Sequence, residues 1–395
     1  MKIEHKTKIL ILTDYYLPGY KSGGGMRTIV NIVERFKDKF DFWIITRDHD
    51  GKLDRRPYTN VKIDDWNKIG DANVFYMSAK NLKLRKLRDI ISEIRPEEIY
   101  INSVFADFSV YTLLLRKARL LPTEKIIIAP CGELSGGALA LKSSKKKAFL
   151  KFSKLFGLYE NIIWKASSER EKTEIEKVKG RNGKIFVAPD LPPQTFGKSF
   201  SIEQKPLKKI GEAKMVFLSR FVRIKNFKYL LKQLNKVKGK LEIDVAGPIE
   251  QKDYWNECLE IIKTLPENIK IQMKGNIPNE QVHPLLLEYH FFILPTLSEN
   301  FGHVLLEALS AGCPLIVSDR TPWRKLSEKK IGWDIPLEIP HRWTEIINFC
   351  IDLDNDTYSN MSKNARAFST EWMSSSKIES DTLKIFDYAL SNTLS

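Results

Sequence analysis

Short, mainly apolar runs recur along the chain, and between them apolar residues return every three to four positions. The runs read KILILTDY (8–15), FDFWIIT (40–46), EEIYINS (97–103), KIIIAP (125–130) and KIFVAPD (184–190). A polar, proline-containing stretch, LPPQTFGKSFSIEQKPLKK, interrupts the alternation. The runs then resume with MVFLSR (215–220), LEIDVAG (241–247), IKIQMKG (269–275), HFFILPT (290–296) and CPLIVSD (313–319). Continuous apolar runs are the signature of strands buried on both faces, and intervening helical patterns make the sheets parallel. The pattern therefore predicts an α/β protein of two Rossmann-like domains, residues 1–200 and 201–375, joined by a linker near 191–210. The tail, 376–395, has helical periodicity and is expected to pack back on the first domain. Ligands of such sheets bind beyond the carboxyl ends of the strands, so the loops after each run are where chemistry is sought.

Length agrees with this division, since 395 residues exceed one ordinary core and suit two of roughly 150–200 residues each. The opening MKIEHKTKILILTDYY holds too short an apolar run for a leader and reads as a first strand. No apolar stretch approaches the ~18 residues of a membrane span. Cys131, Cys258, Cys313 and Cys350 form no C-x-x-C pair and read as reduced thiols of a cytosolic protein. The net charge of +15 is uneven. Residues 1–200 hold 38 basic against 24 acidic side chains, and residues 201–395 hold 26 against 25. The first domain therefore either meets an anionic partner or uses the excess charge to stay soluble by repulsion.

Three stretches carry candidate chemistry. In PTLSENFGHVLLEALSAGCPLIVSD (295–319) a strand gives way to a helix expected to start near Phe301–Gly302, with Asn300 or Ser298 as N-cap, and to end at Gly312. His303, Glu307 and Ser310 form one polar stripe on an otherwise apolar helix, a stripe expected to face a cleft. The helix amides offer an anion site that Gly302 lets a phosphate approach, with Glu299 beside it. An ordinary amphipathic helix with a wet polar face is the competing reading. In FLSRFVRIKN (217–226), Arg220 closes a strand and Lys225 follows five residues later, so that both can grip a diphosphate. A solvated basic turn would read the same way. In PGYKSGGGMRTIV (18–30), three glycines lead into a helix expected to begin near Arg27. Such a loop allows close approach to a ligand, although it lacks the G-x-G-x-x-G dinucleotide spacing.

Together these stretches resemble the retaining nucleotide-sugar glycosyltransferases of family 4, of the bacterial surface-polysaccharide type. SENFGHVLLEALSAGCPLIVSD matches that family's E-x7-E signature, and SRFVRIKN matches its phosphate loop. GNIPNEQVHPLLLEYHFFILPTLSENFG and ASSEREKTEI (166–175) fit as well. The resemblance covers most of the chain and implies the GT-B fold, two Rossmann-like domains facing across a cleft. It assigns Glu299 to the donor sugar hydroxyls, Glu307 to the ribose, and Arg220 and Lys225 to the diphosphate leaving group. It further implies donor contacts from the backbone of Asn300, Phe301, Gly302 and His303, and from Gly23 and Gly24 of the glycine loop. Gly247, in AGP (246–248), and Ile277, in the Gly275–Ile277 turn, would line the base pocket. No metal ion or other cofactor is implied, and Asp48-His49-Asp50, despite D-x-D spacing, reads as a solvated loop.

The chain departs from its relatives after the fourth strand of the first domain. Many of them carry a histidine there, whereas this chain reads APCGEL. Glu133 is the candidate acceptor contact, and Cys131 reads as a packed thiol. None of the six histidines stands out as a base. Front-face retention, in which the leaving phosphate takes the acceptor proton, requires none.

Lys142 to Lys165 holds seven lysines against one acid, Glu160, interleaved with Phe149, Leu150, Phe152, Leu155, Phe156 and Leu158. A basic amphipathic helix of this kind suits the anionic inner face of a membrane, and hence a lipid-linked saccharide acceptor. Packing of those aromatics into the first domain is the alternative. Two other functions compete: a nucleotide-sugar 2-epimerase of the same architecture, and a basic nucleic-acid binder. The absence of a stacking pattern among the aromatics argues against nucleic acid.

Overall fold

The computed structural model describes residues 6–20, 23–51, 54–140, 143–193 and 205–391. The chain divides into two compact units, 1–194 together with 376–395, and 195–375.

The first unit holds β1 (Thr7–Leu12), α1 (Gly24–Phe36), β2 (Phe40–Arg47), β3 (Trp66–Ile69), β4 (Ala72–Met77), α2 (Leu84–Ile94) and β5 (Glu98–Ile101). It continues with α3 (Asp107–Lys117), β6 (Ile126–Ile128), α4 (Gly136–Ala140), α5 (Ser143–Leu155), β7 (Ile163–Ala166), α6 (Glu169–Glu176) and β8 (Lys184–Val187). The strands form one sheet in the order β3-β4-β2-β1-β5-β6-β7-β8, parallel except for β3. Leu10, Ile11, Ile44, Ile99 and Ile127 are wholly buried, as strands covered on both faces require.

The second unit holds β9 (Glu212–Leu218), α7 (Phe227–Leu234), β10 (Lys240–Ala246), α8 (Lys252–Ile262), β11 (Ile269–Gly275), α9 (Asn279–Leu287) and β12 (Phe291–Leu294). After these come α10 (His303–Ser310), β13 (Leu315–Ser318), β14 (Gly332–Ile335), α11 (Pro340–Asp352) and α12 (Asn355–Ser374). Its sheet is parallel throughout, ordered β11-β10-β9-β12-β13-β14. The reversal of strand order beside β9 is a topological switch point, where open sheets of this class place their ligands.

Helix α13 (Ser376–Ser391) belongs to the first unit. Phe386 meets Phe36, Phe40 and Tyr100, and Tyr388 meets Phe186. Arg35–Glu379 and Lys39–Asp387 ion pairs, each 2.9 Å, flank that apolar contact.

Under this helix lies Glu98, which is wholly buried, with neither carboxyl oxygen hydrogen-bonded among the described residues. Burial raises its pKa well above the usual carboxylate range, and Lys125 only partly offsets that. The folded state therefore keeps the proton while the unfolded chain loses it, so stability falls as pH rises above about 4.5. Glu98→Leu should raise the melting temperature at pH 8, by roughly 2–4 °C per kcal/mol relieved. The gain should shrink towards pH 5; a pH-independent difference in calorimetric scans would refute this account.

Candidate functional site

Five loops of the second unit meet at the carboxyl ends of its strands. After β9, the Ser219 N–H donates to the Ala246 carbonyl (3.0 Å) and the Phe221 N–H to the Pro248 carbonyl (2.8 Å). After β10, the Gly247 N–H donates to the Gly275 carbonyl (2.8 Å). Gly247 has φ +129°, and a Cβ there would lie 2.1 Å from the Ser219 carbonyl oxygen. Only glycine allows this approach, which lays the loops after β9, β10 and β11 side by side. Ile277, half-buried, packs on the core just beyond.

The phosphate-loop residues follow. A single 3-10 turn, Arg223–Lys225, is closed by Asn226 in the left-handed region (φ 60°), from which α7 starts. The Ile224 carbonyl accepts from the Leu297 N–H (2.7 Å) and the Thr296 hydroxyl (3.1 Å), tying this turn to the loop after β12. Lys225 Nζ then donates to Glu299 Oε2 at 2.5 Å, with both side chains largely buried. The Glu299 N–H donates to the Arg320 carbonyl (3.0 Å), which recruits the loop after β13. A Cβ on Gly302 would fall 2.9 Å from Glu299 Cγ, so Glu299 lies directly over that glycine. Lys225, Glu299 and Gly302 are thus clustered at the amino end of α10, where helix amides lack partners within the helix.

Arg220 is held differently. Its Nη1 donates to both carboxyl oxygens of Glu250, each at 3.1 Å. The two cations expected to share a diphosphate are each gripped by a carboxylate from a different loop.

The N-cap of α10 is Gly302 itself, in the left-handed region (φ 78°), rather than Asn300 or Ser298. The chain turns there through backbone that only glycine adopts freely, so no side chain is aimed at the first amides. Phe301 is fixed by its carbonyl, which accepts from Trp323 Nε1 (2.6 Å), and by ring contacts with Trp323 and Trp372. His303, Glu307 and Ser310 are all buried, so the polar stripe is not the wet face of an ordinary amphipathic helix.

In the first unit, α1 begins at Gly24, with Gly23 in the left-handed region (φ 69°) as its N-cap, three residues before the expected start at Arg27. Neither Gly23 nor Gly24 is buried. Glu133 is not a free acceptor contact. Its Oε2 accepts from the Val104 N–H (2.7 Å), the Ser103 hydroxyl (2.9 Å) and the Phe105 N–H (3.3 Å), bracing the turn after β5. The Asp-His-Asp stretch is not solvated either: Asp48 and Asp50 are buried, and Asp50 accepts the Tyr20 N–H at 3.0 Å. Cys131 donates to Asn102 Oδ1 (2.9 Å), while burial and nearby Asp190 and Glu171 push its pKa well up, making it a poor nucleophile. Of the histidines, burial lowers the pKa of His290 to about 4, and its Nδ1 accepts the Lys214 N–H. Burial likewise depresses His283.

Residues 199–368 match the family described as Glycosyl transferases group 1. An uncharacterized glycosyltransferase of Methanocaldococcus jannaschii is 26% identical over 110 residues, a match that spans 27% of this chain and 27% of that relative. Among solved structures, Anabaena HepE in complex with UDP-glucose superposes with a TM-score of 0.68 at 16% identity, covering 98% of this chain and 100% of HepE. Sucrose-phosphate synthase of Thermosynechococcus elongatus gives 0.69 at 14% identity, covering 97% and 99%.

Most of the second unit matches a glycosyltransferase domain.

The fold of the whole chain is that of the GT-B glycosyltransferases. Several residues that shape the transferase domain escaped the sequence reading. Glu250 follows AGP and was readable only as a charge beyond a strand end, yet it fixes Arg220. Arg320 and Trp323 orient Glu299 and Phe301 through single hydrogen bonds. Thr296, wholly buried, donates its hydroxyl to the Ile224 carbonyl and so ties the loop after β12 to the turn after β9.

Proposed function

We propose that the chain is a retaining glycosyltransferase that moves a sugar from a nucleoside-diphosphate donor to a saccharide acceptor. The observation that carries this reading is the Lys225–Glu299 pair lying over Gly302 at the start of α10. Departure of a nucleoside diphosphate develops negative charge, and fixed cations beside a helix terminus stabilise it where it forms. In this reading Lys225 and Arg220 meet the leaving diphosphate, and the α10 amides bind its oxygens. Glu299 holds sugar hydroxyls and steers Lys225, and Glu307 reads the ribose. No metal ion is needed, because the cations and the helix take that charge. Retention proceeds on one face of the sugar: the glycosidic bond to phosphate breaks, the acceptor oxygen bonds to the same carbon, and the acceptor proton passes to the departing phosphate. HepE, solved with UDP-glucose, supports a nucleotide sugar as donor.

The test is thermal stabilisation by a panel of UDP-, GDP- and ADP-sugars, followed by transfer of labelled sugar with and without membrane extract. A donor at about a hundred times its Kd adds roughly 2.7 kcal/mol to stability and raises the melting temperature accordingly. Transfer into lipid-extractable product is the expected result. Release of an epimerised sugar, or no shift with any donor, would overturn the proposal.

The acceptor in this reading is lipid-linked, in cell-surface polysaccharide or lipopolysaccharide assembly, with the chain peripheral on the inner membrane face. Helix α5 supports it. Phe149 and Leu150 pack on the first unit's core, whereas Phe152, Leu155 and Phe156 are exposed among Lys147, Lys151 and Lys154. Exposed apolar side chains among lysines match an anionic bilayer surface, each lysine contributing ~1 kcal/mol. The basic run ends at the helix, because Lys165 is buried in β7, and Lys142 lies outside the described residues. Leu155→Ser together with Lys151→Gln and Lys154→Gln should weaken sedimentation with phosphatidylglycerol vesicles about tenfold or more. Unchanged binding would exclude α5 as the contact. Among the described residues no helix is long and apolar enough to cross a membrane.

A further inference from the structure

A cavity of the second unit, about 380 Å³, is lined by none of the loop residues described above. It opens at Gly332, the amino end of β14, whereas the loops described above follow the carboxyl ends of parallel strands. One wall is aromatic: Trp333 and Phe349 meet edge to face at 5.8 Å, and Phe349 is 51% exposed. The facing wall is a stripe of α12, where Thr357, Asn360 and Asn364 recur at helical spacing. Neither the Asn360 nor the Asn364 amide has a hydrogen-bond partner among the described residues. The only charged side chain of the lining is Lys330.

We infer that this cavity is a second saccharide-binding site, holding a neutral oligosaccharide stretch of acceptor or product away from the transfer site. The chemistry is complementary. A pyranose offers an apolar C–H face and a rim of hydroxyls that donate and accept. An aromatic wall matches the first, and unpartnered amides, each both donor and acceptor, match the second. The volume falls within the roughly 300–1,000 Å³ of small-ligand pockets. A single cation is too little to hold a polyanion such as a nucleotide, which separates this site from the paired cations of the donor loops. The inference rests on the proposed glycosyltransferase function, and it gives that enzyme a hold on its polymer independent of the donor.

The test is calorimetric titration of the full chain with malto-, cello- and chito-hexaose at millimolar concentration. At least one should bind, and Phe349→Ala should weaken that binding about tenfold or more. Asn360→Ala with Asn364→Ala, on an exposed helix face, should weaken it too without lowering the melting temperature. Donor hydrolysis without acceptor should be unchanged in both variants. No binding by any of the three probes, or equal affinity in both variants, would overturn the inference. So would loss of binding on Lys225→Ala, because the sugar would then sit at the donor loops. Donor hydrolysis without oligosaccharide binding defeats this inference alone, whereas oligosaccharide binding without donor turnover defeats the function alone.

Discussion

Lys225→Ala is expected to lower kcat for sugar transfer about 10²–10³-fold, the usual cost of removing one preorganised group at a developing anion. The reason is geometric. Lys225 is held in place by Glu299 at 2.5 Å, with only 12% of its side chain exposed, so its charge acts in a partly dry setting. A cation held before the reaction costs no reorganisation when the diphosphate departs. Loss of that charge should fall on kcat more than on KM, because charge accumulates in the transition state. Glu299→Gln should weaken the reaction as well, since the amide holds Lys225 less firmly and contacts the sugar differently. The melting temperature of Lys225→Ala separates chemistry from folding. Steady-state rates within threefold of the parent, in a folded variant, would remove Lys225 from the mechanism.

The largest expected loss of stability lies in the first unit. Lys165 Nζ and Asp190 Oδ1 stand 2.5 Å apart, and the two side chains are only 3% and 7% exposed. Burial pulls the Lys165 pKa down, but Asp190 more than restores it, and the net direction is upward. Lys165→Met removes the cation that faces the buried Asp190 carboxylate, at a cost of about 3–5 kcal/mol. For a protein of this size that is a fall of roughly 6–20 °C in melting temperature. Adding Asp190→Leu should restore most of the loss, because an apolar pair of similar volume replaces a buried ion pair at little cost. If the double variant is no more stable than the single one, the ion pair is not the source of the effect. The pair spans β7 and the chain just beyond β8, so disordering there would show as lost amide protection at the sheet edge.

Of the fourteen strands among the described residues, ten were legible as apolar runs, and the other four were hidden for separate physical reasons. β3, WNKI, is the antiparallel edge strand of its sheet and reads as polar, whereas β4, ANVFYM, is buried between β3 and β2, and its apolar run is broken by Asn73. β7 was hidden inside the lysine-rich stretch because its Lys165 is neutralised by a residue 25 positions away, a partner invisible to local pattern. β14, GWDI, is an edge strand of four residues carrying an aspartate. In the candidate site, the residue types and loops were readable, but their pairings were not. Lys225 and Glu299 are 74 residues apart, Arg220 and Glu250 are 30, and only the folded sheet brings them together. The bonding of Glu133 was hidden for the same reason. A carboxylate in a loop after a strand looks available until the neighbouring turn is seen to consume it.

The two units differ in how the gene order meets them. The second is written in one uninterrupted stretch, whereas the first waits for its last sixteen-residue helix, α13, from beyond the other unit. On a ribosome, therefore, the part begun first is the part finished last. Until α13 arrives, the aromatic face of Phe36, Phe40 and Tyr100 stays uncovered, which marks this nascent surface as one for a chaperone to guard.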